Sequence, residues 1–117
     1  MTIYALSSGP GLAGISVIRV SGPNTRKVIL ELTKKELPKP RLATRRKFNK
    51  IEDNDLIDEG ILIWFPGPSS YTGEDMAEFH VHGSKAVVDA IHSTISKVDG
   101  CRLAEPGEFT KIAFQNG

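Results

Sequence analysis

Three side chains in the second half of the chain have the types and the spacing for chemistry: Glu78, His80 and His82. Residues two apart on a β-strand share one face, because successive side chains point to opposite faces. Two imidazoles and a carboxylate on one face can bind a metal ion or transfer protons. Alternatively, the histidines are structural and bond the backbone near Gly83, while Glu78 binds a ligand. A carboxylate accepts two parallel N–H bonds, which suits an aminopyrimidine edge such as that of a pterin.

The metal interpretation has an incomplete set of ligands in the sequence. Outside the strand only His92 is a candidate to complete the set, and its surroundings predict a helix. Cys101 is the only cysteine, so a zinc site built from thiolates and an internal disulfide are both excluded.

Arg19 is the other side chain with a candidate role, because it lies within a strand-like, apolar segment over residues 15–20. An arginine in such a segment is usually part of an ion pair or lies at a sheet edge. The alternative is an anion site, since a guanidinium matches the geometry of the carboxylate on an acidic ligand tail.

A glycine-rich loop precedes that segment, with glycines at positions 9, 11 and 14. The spacing formally matches a dinucleotide-binding fingerprint, but that motif requires a helix to follow, and residues 15–18 favour a strand. The loop also lacks the lysine of a P-loop, so this chain alone is not expected to hydrolyse nucleotides. The glycines permit a tight turn, or let the backbone approach a flat ligand, which makes Gly11 and Gly14 candidate ligand contacts.

A basic run covers residues 34–50, and an acidic segment follows it over residues 52–59. Such a run is most often a solvated hairpin whose charges pair along its length. The alternative is a face that contacts RNA phosphates. The basic side chains are Lys34, Lys35, Lys39, Arg41, Arg45, Arg46, Lys47 and Lys50.

The elements that position these residues follow from the hydrophobic pattern. The pattern predicts strands over 2–7, 15–20, 56–65, 75–82 and 101–104, with an extended basic piece at 41–50. Helices are predicted after residues 21–23, which end at 37–40, after the N-cap Ser84, and over 106–114. The order is β-β-α-β-β-β-α-β-α, an α+β domain with a mixed sheet and two main helices. The strand at 56–65 is expected to be central and buried on both faces.

The composition agrees with one soluble domain over residues 1–117. The chain is 39% hydrophobic and 25% charged, with a net charge of +1, so the overall charge does not argue for nucleic acid. No segment is long and apolar enough to span a membrane, and the N-terminus has no signal-peptide pattern. A cytoplasmic location is therefore expected.

Several segments together resemble one family. Residues 14–23 read GISVIRVSGP, residues 65–75 read FPGPSSYTGED, residues 78–83 read EFHVHG and residues 106–110 read PGEFT. In this order and spacing, with Ala113-Phe114 and Asn116-Gly117 after them, they are similar to the N-terminal domain of the tRNA-modification GTPase family called MnmE or TrmE. The likeness covers the whole chain, and its stop at Gly117 inside a familiar motif suggests a truncated protein.

The resemblance implies a fold similar to the folate-binding domain of aminomethyltransferase-type proteins. It also implies binding of a tetrahydrofolate derivative, such as the 5-formyl or methylene form, and a homodimer that completes the pseudo-repeat. By motif match, Arg19 and Glu78 correspond to two of the family's folate contacts. A third contact, a basic residue just after Asn116-Gly117, falls beyond this sequence.

For the full-length protein the resemblance implies a helical domain and an inserted GTPase domain that uses GTP, Mg²⁺ and K⁺. With a flavoprotein partner of the MnmG (GidA) type, the complex would modify C5 of the wobble uridine in tRNA, with the folate as one-carbon source. This domain alone is not expected to be catalytic. Two alternatives stay open: a metal-dependent hydrolase that uses His80 and His82, and a tRNA-binding domain that uses Arg41, Arg45, Arg46 and Lys47.

Overall fold

The computed structural model describes residues 1–8 and 14–117. Its nine elements follow one another in the predicted order β-β-α-β-β-β-α-β-α, which confirms the α+β class. They are β1 (Thr2–Leu6), β2 (Ile15–Ser21), α1 (Thr25–Thr33), β3 (Thr44–Asn49), β4 (Leu56–Phe65), β5 (Met76–His82), α2 (Lys85–Ser96), β6 (Cys101–Leu103) and α3 (Glu108–Gln115).

The six strands form one mixed sheet in the order β3-β4-β5-β2-β1-β6. β6 runs parallel to β1, and the other neighbouring strands pair antiparallel. β2 and β5 therefore lie side by side in the middle of the sheet, and their paired residues are direct neighbours.

One face of the sheet carries the hydrophobic core, which α1 and α2 cover. Alternate strand residues such as Ile18, Phe79 and Leu62 are paired in register and fully buried on this face. Apolar side chains one helical turn apart, including Ile29 on α1 and Ile95 on α2, pack onto them. The other residues of the same strands therefore lie on the opposite face, which α1 and α2 do not cover.

The opposite face, which we call the open face, carries the residues of interest. Arg19 on β2 pairs in register with Glu78 on β5, and Glu78 pairs with Ile63 on β4. The expectation that β4 is buried on both faces is wrong, because only its core-facing Leu62 and Trp64 are fully buried. Ile61, Ile63 and Phe65, at the alternate positions, are half-buried and belong to the open face.

The helix boundaries depend on side-chain hydrogen bonds. Ser84 accepts a hydrogen bond from the N–H of Val87 at 3.1 Å, as predicted for the N-cap of α2. The first helix ends at Thr33 rather than near residue 37, because Lys34 adopts a left-handed conformation (φ 57°) that closes the last turn. The Thr33 hydroxyl also accepts the N–H of Lys35 at 3.2 Å, which favours this early end.

Gly60 permits a close approach of β4 and β5. A Cβ atom at this position would lie 2.0 Å from the carbonyl oxygen of His80 and 3.2 Å from the Phe48 ring. Only glycine therefore fits without moving a backbone. Among the described residues, no helix combines the length and apolarity needed to cross a membrane.

Candidate functional site

A cavity of about 420 Å³ lies on the open face, between the two central strands and the loop that precedes β5. This size falls within the range of small-molecule sites in proteins, about 300–1,000 Å³. The lining residues come from β2, β4, β5, that loop and the segment before β3. They are Arg19, Arg41, Phe65, Ser69, Ser70, Tyr71, Met76 and Glu78.

Arg19 and Glu78, the two candidates from the sequence, meet in this cavity. Nη2 of Arg19 is 3.2 Å from Oε2 of Glu78, and both side chains are largely covered, with 30% and 19% of their surfaces exposed. The other carboxylate oxygen, Oε1, is 3.0 Å from Nε2 of His80. The carboxylate is thus held in one orientation between a guanidinium and an imidazole, and each oxygen keeps a lone pair for a further donor.

Two aromatic rings contribute to the cavity wall, and each has an arginine over its face. The Arg19 guanidinium carbon lies 5.7 Å from the centre of the Tyr71 ring, and that of Arg41 lies 5.7 Å from the centre of the Phe65 ring. These distances are within the range of cation–π interactions. The wall is therefore apolar and flat in places, with charged groups at defined positions.

The loop over residues 66–75 is fixed by polar side chains beneath it. The hydroxyls of Ser21 and Thr72 are 2.8 Å apart and buried, and Asp75 accepts the N–H of Gly67 at 2.8 Å. Asn116, the C-cap of α3, donates to the carbonyl of Thr72 at 2.8 Å. These bonds hold the loop that carries Tyr71 against the sheet.

The two strand histidines pair with different carboxylates. His80 contacts Glu78, whereas Nδ1 of His82 is 2.9 Å from Oδ1 of Asp58, whose Oδ2 also accepts the His82 backbone N–H at 2.8 Å. The expectation that both histidines bond the backbone near Gly83 is wrong, because acidic side chains lie within reach. Partial burial acts to raise the pKa of Asp58, but the hydrogen bonds from His82 outweigh it and hold this pKa below its ordinary value.

The geometry gives the metal interpretation no support. His92 lies on α2, on the far side of the sheet, with its ring centre 5.4 Å from that of Tyr4. Burial there lowers its pKa. Over residues 1–8 and 14–117, no three His, Cys, Asp or Glu side chains are grouped so that they could hold a metal ion.

The predicted ligand contacts of Gly11 and Gly14 are only partly covered by the described residues. Gly11 lies in residues 9–13, outside the described residues. Gly14 precedes β2, and its carbonyl accepts the N–H of Gly83 at 3.0 Å. That is the end of the β2–β5 pairing that begins with Ile15 and His82, away from the end that carries Arg19. A ligand contact of either glycine stays a prediction.

The basic run forms a hairpin rather than one continuous basic face. β3 pairs with β4, and the exposed Arg45 pairs with Glu59 at 3.3 Å, as the hairpin interpretation predicts. Arg46 alternates to the other face of β3 and is half-buried. Arg41 lies before the strand, at the cavity. The four basic residues of the tRNA hypothesis are thus divided among different surroundings.

Sequence reasoning missed Arg41, Phe65 and Tyr71 as members of the site. The only sequence signal for the two aromatic residues is position, since Phe65 precedes a loop rich in Pro, Gly and Ser and Tyr71 lies within it. Their residue types do not identify them, because the register of three strands and the path of one loop decide which side chains line the cavity.

Residues 2–117 match the family described as "GTP-binding protein TrmE N-terminus". The chain is 69% identical, over its whole length, to the tRNA modification GTPase MnmE of Pelagibacter ubique, of which it covers 26%. Over 99% of its length it is 47% identical to "5-taurinomethyluridine-[tRNA] synthase subunit GTPB3, mitochondrial" of Danio rerio and covers 23% of that protein. It is 53% identical, over 99% of its length, to the MnmE of Mesorhizobium japonicum and covers 26% of it. The chain thus spans about a quarter of the length of these relatives.

Proposed function

The chain belongs to the TrmE N-terminal family, and from this premise we propose that it binds a tetrahydrofolate derivative of the 5-formyl type in the Arg19–Glu78 cavity. The observation that carries the proposal is the convergence of these two residues, from different strands, on one cavity of about 420 Å³. A reduced pterin is flat and has a polar edge, which suits a cavity with aromatic walls and one oriented carboxylate.

Glu78 is the group that binds the pterin edge in this proposal. The amino group and the ring N–H of a pterin point the same way, so a carboxylate can accept both hydrogen bonds. The contacts of Glu78 with Arg19 and His80 fix the orientation of that carboxylate before the ligand arrives, which reduces the entropy lost on binding.

In this proposal Arg19 has a different role from the one predicted from the sequence. The initial hypothesis placed the acidic tail of the folate at Arg19 and its pterin at Glu78. Since the two side chains are 3.2 Å apart, they cannot meet opposite ends of a ligand whose tail is separated from the ring by an aminobenzoyl group. Arg19 instead orients Glu78 and covers the Tyr71 ring beside the pterin site.

Titration of the 117-residue chain with 5-formyltetrahydrofolate, followed by calorimetry, tests this proposal. Glu78→Gln keeps the size of the side chain but replaces one acceptor oxygen with a donor. We expect its affinity to fall about 10- to 100-fold, which corresponds to about 1–3 kcal/mol for lost charge-assisted hydrogen bonds. Glu59→Gln, on the neighbouring strand and outside the cavity, is the matched control and should bind like the wild type. Undiminished binding by Glu78→Gln contradicts the role of Glu78, and absence of binding by the wild type contradicts the proposed function.

We propose that this domain is part of a larger protein, because the chain covers only about a quarter of the length of its relatives. We propose that the bound folate supplies the one-carbon unit for modification of C5 of the tRNA wobble uridine, together with a flavoprotein partner of the MnmG type. GTP, Mg²⁺ and K⁺ would bind elsewhere in such a protein, because the glycine loop here lacks the P-loop lysine. The names of the relatives, which include "tRNA modification GTPase", support this proposal.

Homodimerisation through the open face is a second part of the proposal. In the described residues this face is left uncovered by α1 and α2, and it includes Ile15, 59% exposed at the start of β2, and the half-buried Ile61 of β4. A second copy of the chain would remove these apolar side chains from water. The partner copy would then lie next to the folate cavity, which opens on the same face.

A further inference from the structure

Arg41 is held at the cavity by its own backbone. It adopts a left-handed conformation with φ 63°, and its N–H donates to the carbonyl of Trp64 at 2.8 Å. A positive φ is uncommon for a residue with a side chain and persists where surrounding contacts impose it. This conformation directs the side chain over the Phe65 ring, 5.7 Å from its centre, where it lines the cavity.

The charges of the cavity are not balanced. Its lining contains two guanidiniums, those of Arg19 and Arg41, and one carboxylate, that of Glu78. Glu78 pairs with Arg19. Among the residues that the structure describes, no carboxylate lies within the 4.0 Å of an ion pair from Arg41. The cavity is therefore suited to a ligand that brings a negative charge of its own to the Phe65 end.

The contact with Phe65 leaves the edge of the Arg41 guanidinium available. A guanidinium that covers an aromatic ring keeps its N–H groups in its plane, where they can donate two parallel bonds to a carboxylate. Arg45 is four residues away in sequence but has an acidic partner, Glu59, at 3.3 Å. Arg41 thus differs from Arg45 in both position and pairing.

We propose that Arg41 is the specificity-determining residue for the acidic tail of the ligand, and that it binds a carboxylate of the glutamyl group. This inference rests on the proposed function, since it assigns the second end of the same folate. It also removes Arg41 from the group of residues proposed to contact tRNA. The pterin lies at Glu78 and the tail lies toward Phe65.

Two ligands distinguish binding of the tail from binding of the ring in a test on the 117-residue chain. The first is 5-formyltetrahydrofolate, and the second is 6-methyltetrahydropterin, which has the reduced ring but no glutamyl tail. We expect Arg41→Ala to lose about tenfold or more in affinity for the folate, as for a charge-assisted pair, and to bind the pterin like the wild type. Arg41→Lys should recover part of the loss, because it keeps the charge but not the fork. Arg45→Ala is the control and should change neither affinity.

A second readout requires no tail-less ligand. The folate affinity of the wild type should fall as KCl is raised, and Arg41→Ala should show a weaker dependence, because one ion pair with the ligand is missing. Equal folate affinity in wild type and Arg41→Ala overturns the inference. So does an equal loss for both ligands, which would indicate a role in the shape of the cavity. If the wild type binds neither ligand, the proposed function itself fails, whereas wild-type binding of the folate that Arg41→Ala leaves unchanged refutes only the assignment of the tail.

Discussion

Arg19 and Glu78 lie directly opposite each other on the antiparallel strands β2 and β5, and their charged groups are in contact at 3.2 Å. The pair is central in the sheet and largely shielded from water, so neither charge is well solvated if the other is removed. The two side chains therefore act as one unit toward a ligand.

A double-mutant cycle on this pair should show strong coupling in folate binding. Arg19→Gln should weaken binding of 5-formyltetrahydrofolate because Glu78 loses its orientation, and Glu78→Gln should weaken it directly. The doubly substituted chain should bind little worse than the weaker single variant, with a coupling energy of about 1–2 kcal/mol, as measured for residues in one network. Calorimetric titration of the four proteins provides the numbers, and costs that simply add would show that the residues act independently.

Replacement of Gly60 by alanine should destabilise the fold. The added methyl group would lie 2.0 Å from the His80 carbonyl oxygen, which belongs to the backbone of a central strand and cannot rotate away. We expect a loss of about 2–3 kcal/mol in the free energy of unfolding, as for overpacking in a well-packed region. Urea denaturation followed by circular dichroism measures it. Gly14→Ala is the control, because no atom of the described residues lies within 4 Å of a Cβ there; similar losses in both variants would contradict the steric explanation.

Acidification should weaken the attachment of α3. Hydrogen bonds from Arg102, with Nη1 2.8 Å from Oε1, and from the backbone N–H of Glu105 lower the pKa of Glu108 to about 2 from its ordinary 4.5. Since the folded-state pKa is depressed, the stabilisation is complete above pH 4.5 and is lost as the pH falls toward 2. Thermal unfolding between pH 6 and pH 2 should therefore show a larger decrease in Tm for the wild type than for Glu108→Gln. Parallel decreases in the two proteins would show that other carboxylates dominate.

The open face should control the oligomeric state. Ile15→Glu places a charge on this face, on a side chain that is already 59% exposed, so the fold should persist while the dimer dissociates. Leu30→Glu is the matched control, because this side chain is 44% exposed on α1, on the opposite side of the sheet. Sedimentation equilibrium of the wild type and the two variants distinguishes these outcomes. A wild type that is monomeric at all concentrations, or a dimer that survives Ile15→Glu, would count against this interface.

The order of elements could be predicted from the sequence because it depends on local signals. The alternation of apolar residues and the N-cap Ser84 each act within a few residues. The end of the first helix was misplaced, since the left-handed Lys34 leaves no mark as strong as the prolines that follow it. The apolar run of β4 predicts burial on both faces, whereas its Ile61, Ile63 and Phe65 are half-buried on the open face.

Only two of the three charged residues of the site could be predicted as its members. Spacing and the family resemblance singled out Arg19 and Glu78, and the structure brings them together in one cavity. Their mutual contact depends on the register of β2 and β5, which are 59 residues apart at this pair. Arg41 reaches the cavity because of a backbone conformation that the surrounding sequence does not predict. Such long-range relationships follow from the whole packing of the chain.

The pairing of β2 with β5 extends over seven residue pairs, from Ile15 opposite His82 to Ser21 opposite Met76. These two strands form the floor of the cavity, and they cannot separate to admit a molecule without breaking the hydrogen bonds at the centre of the sheet. The rim formed by Ser69, Ser70 and Tyr71 is another part of the cavity wall, and it is held through Thr72 to Ser21 and Asn116. We expect a change at Asn116 to alter the dissociation rate of a bound molecule although this residue is absent from the cavity wall, because its hydrogen bond holds this rim.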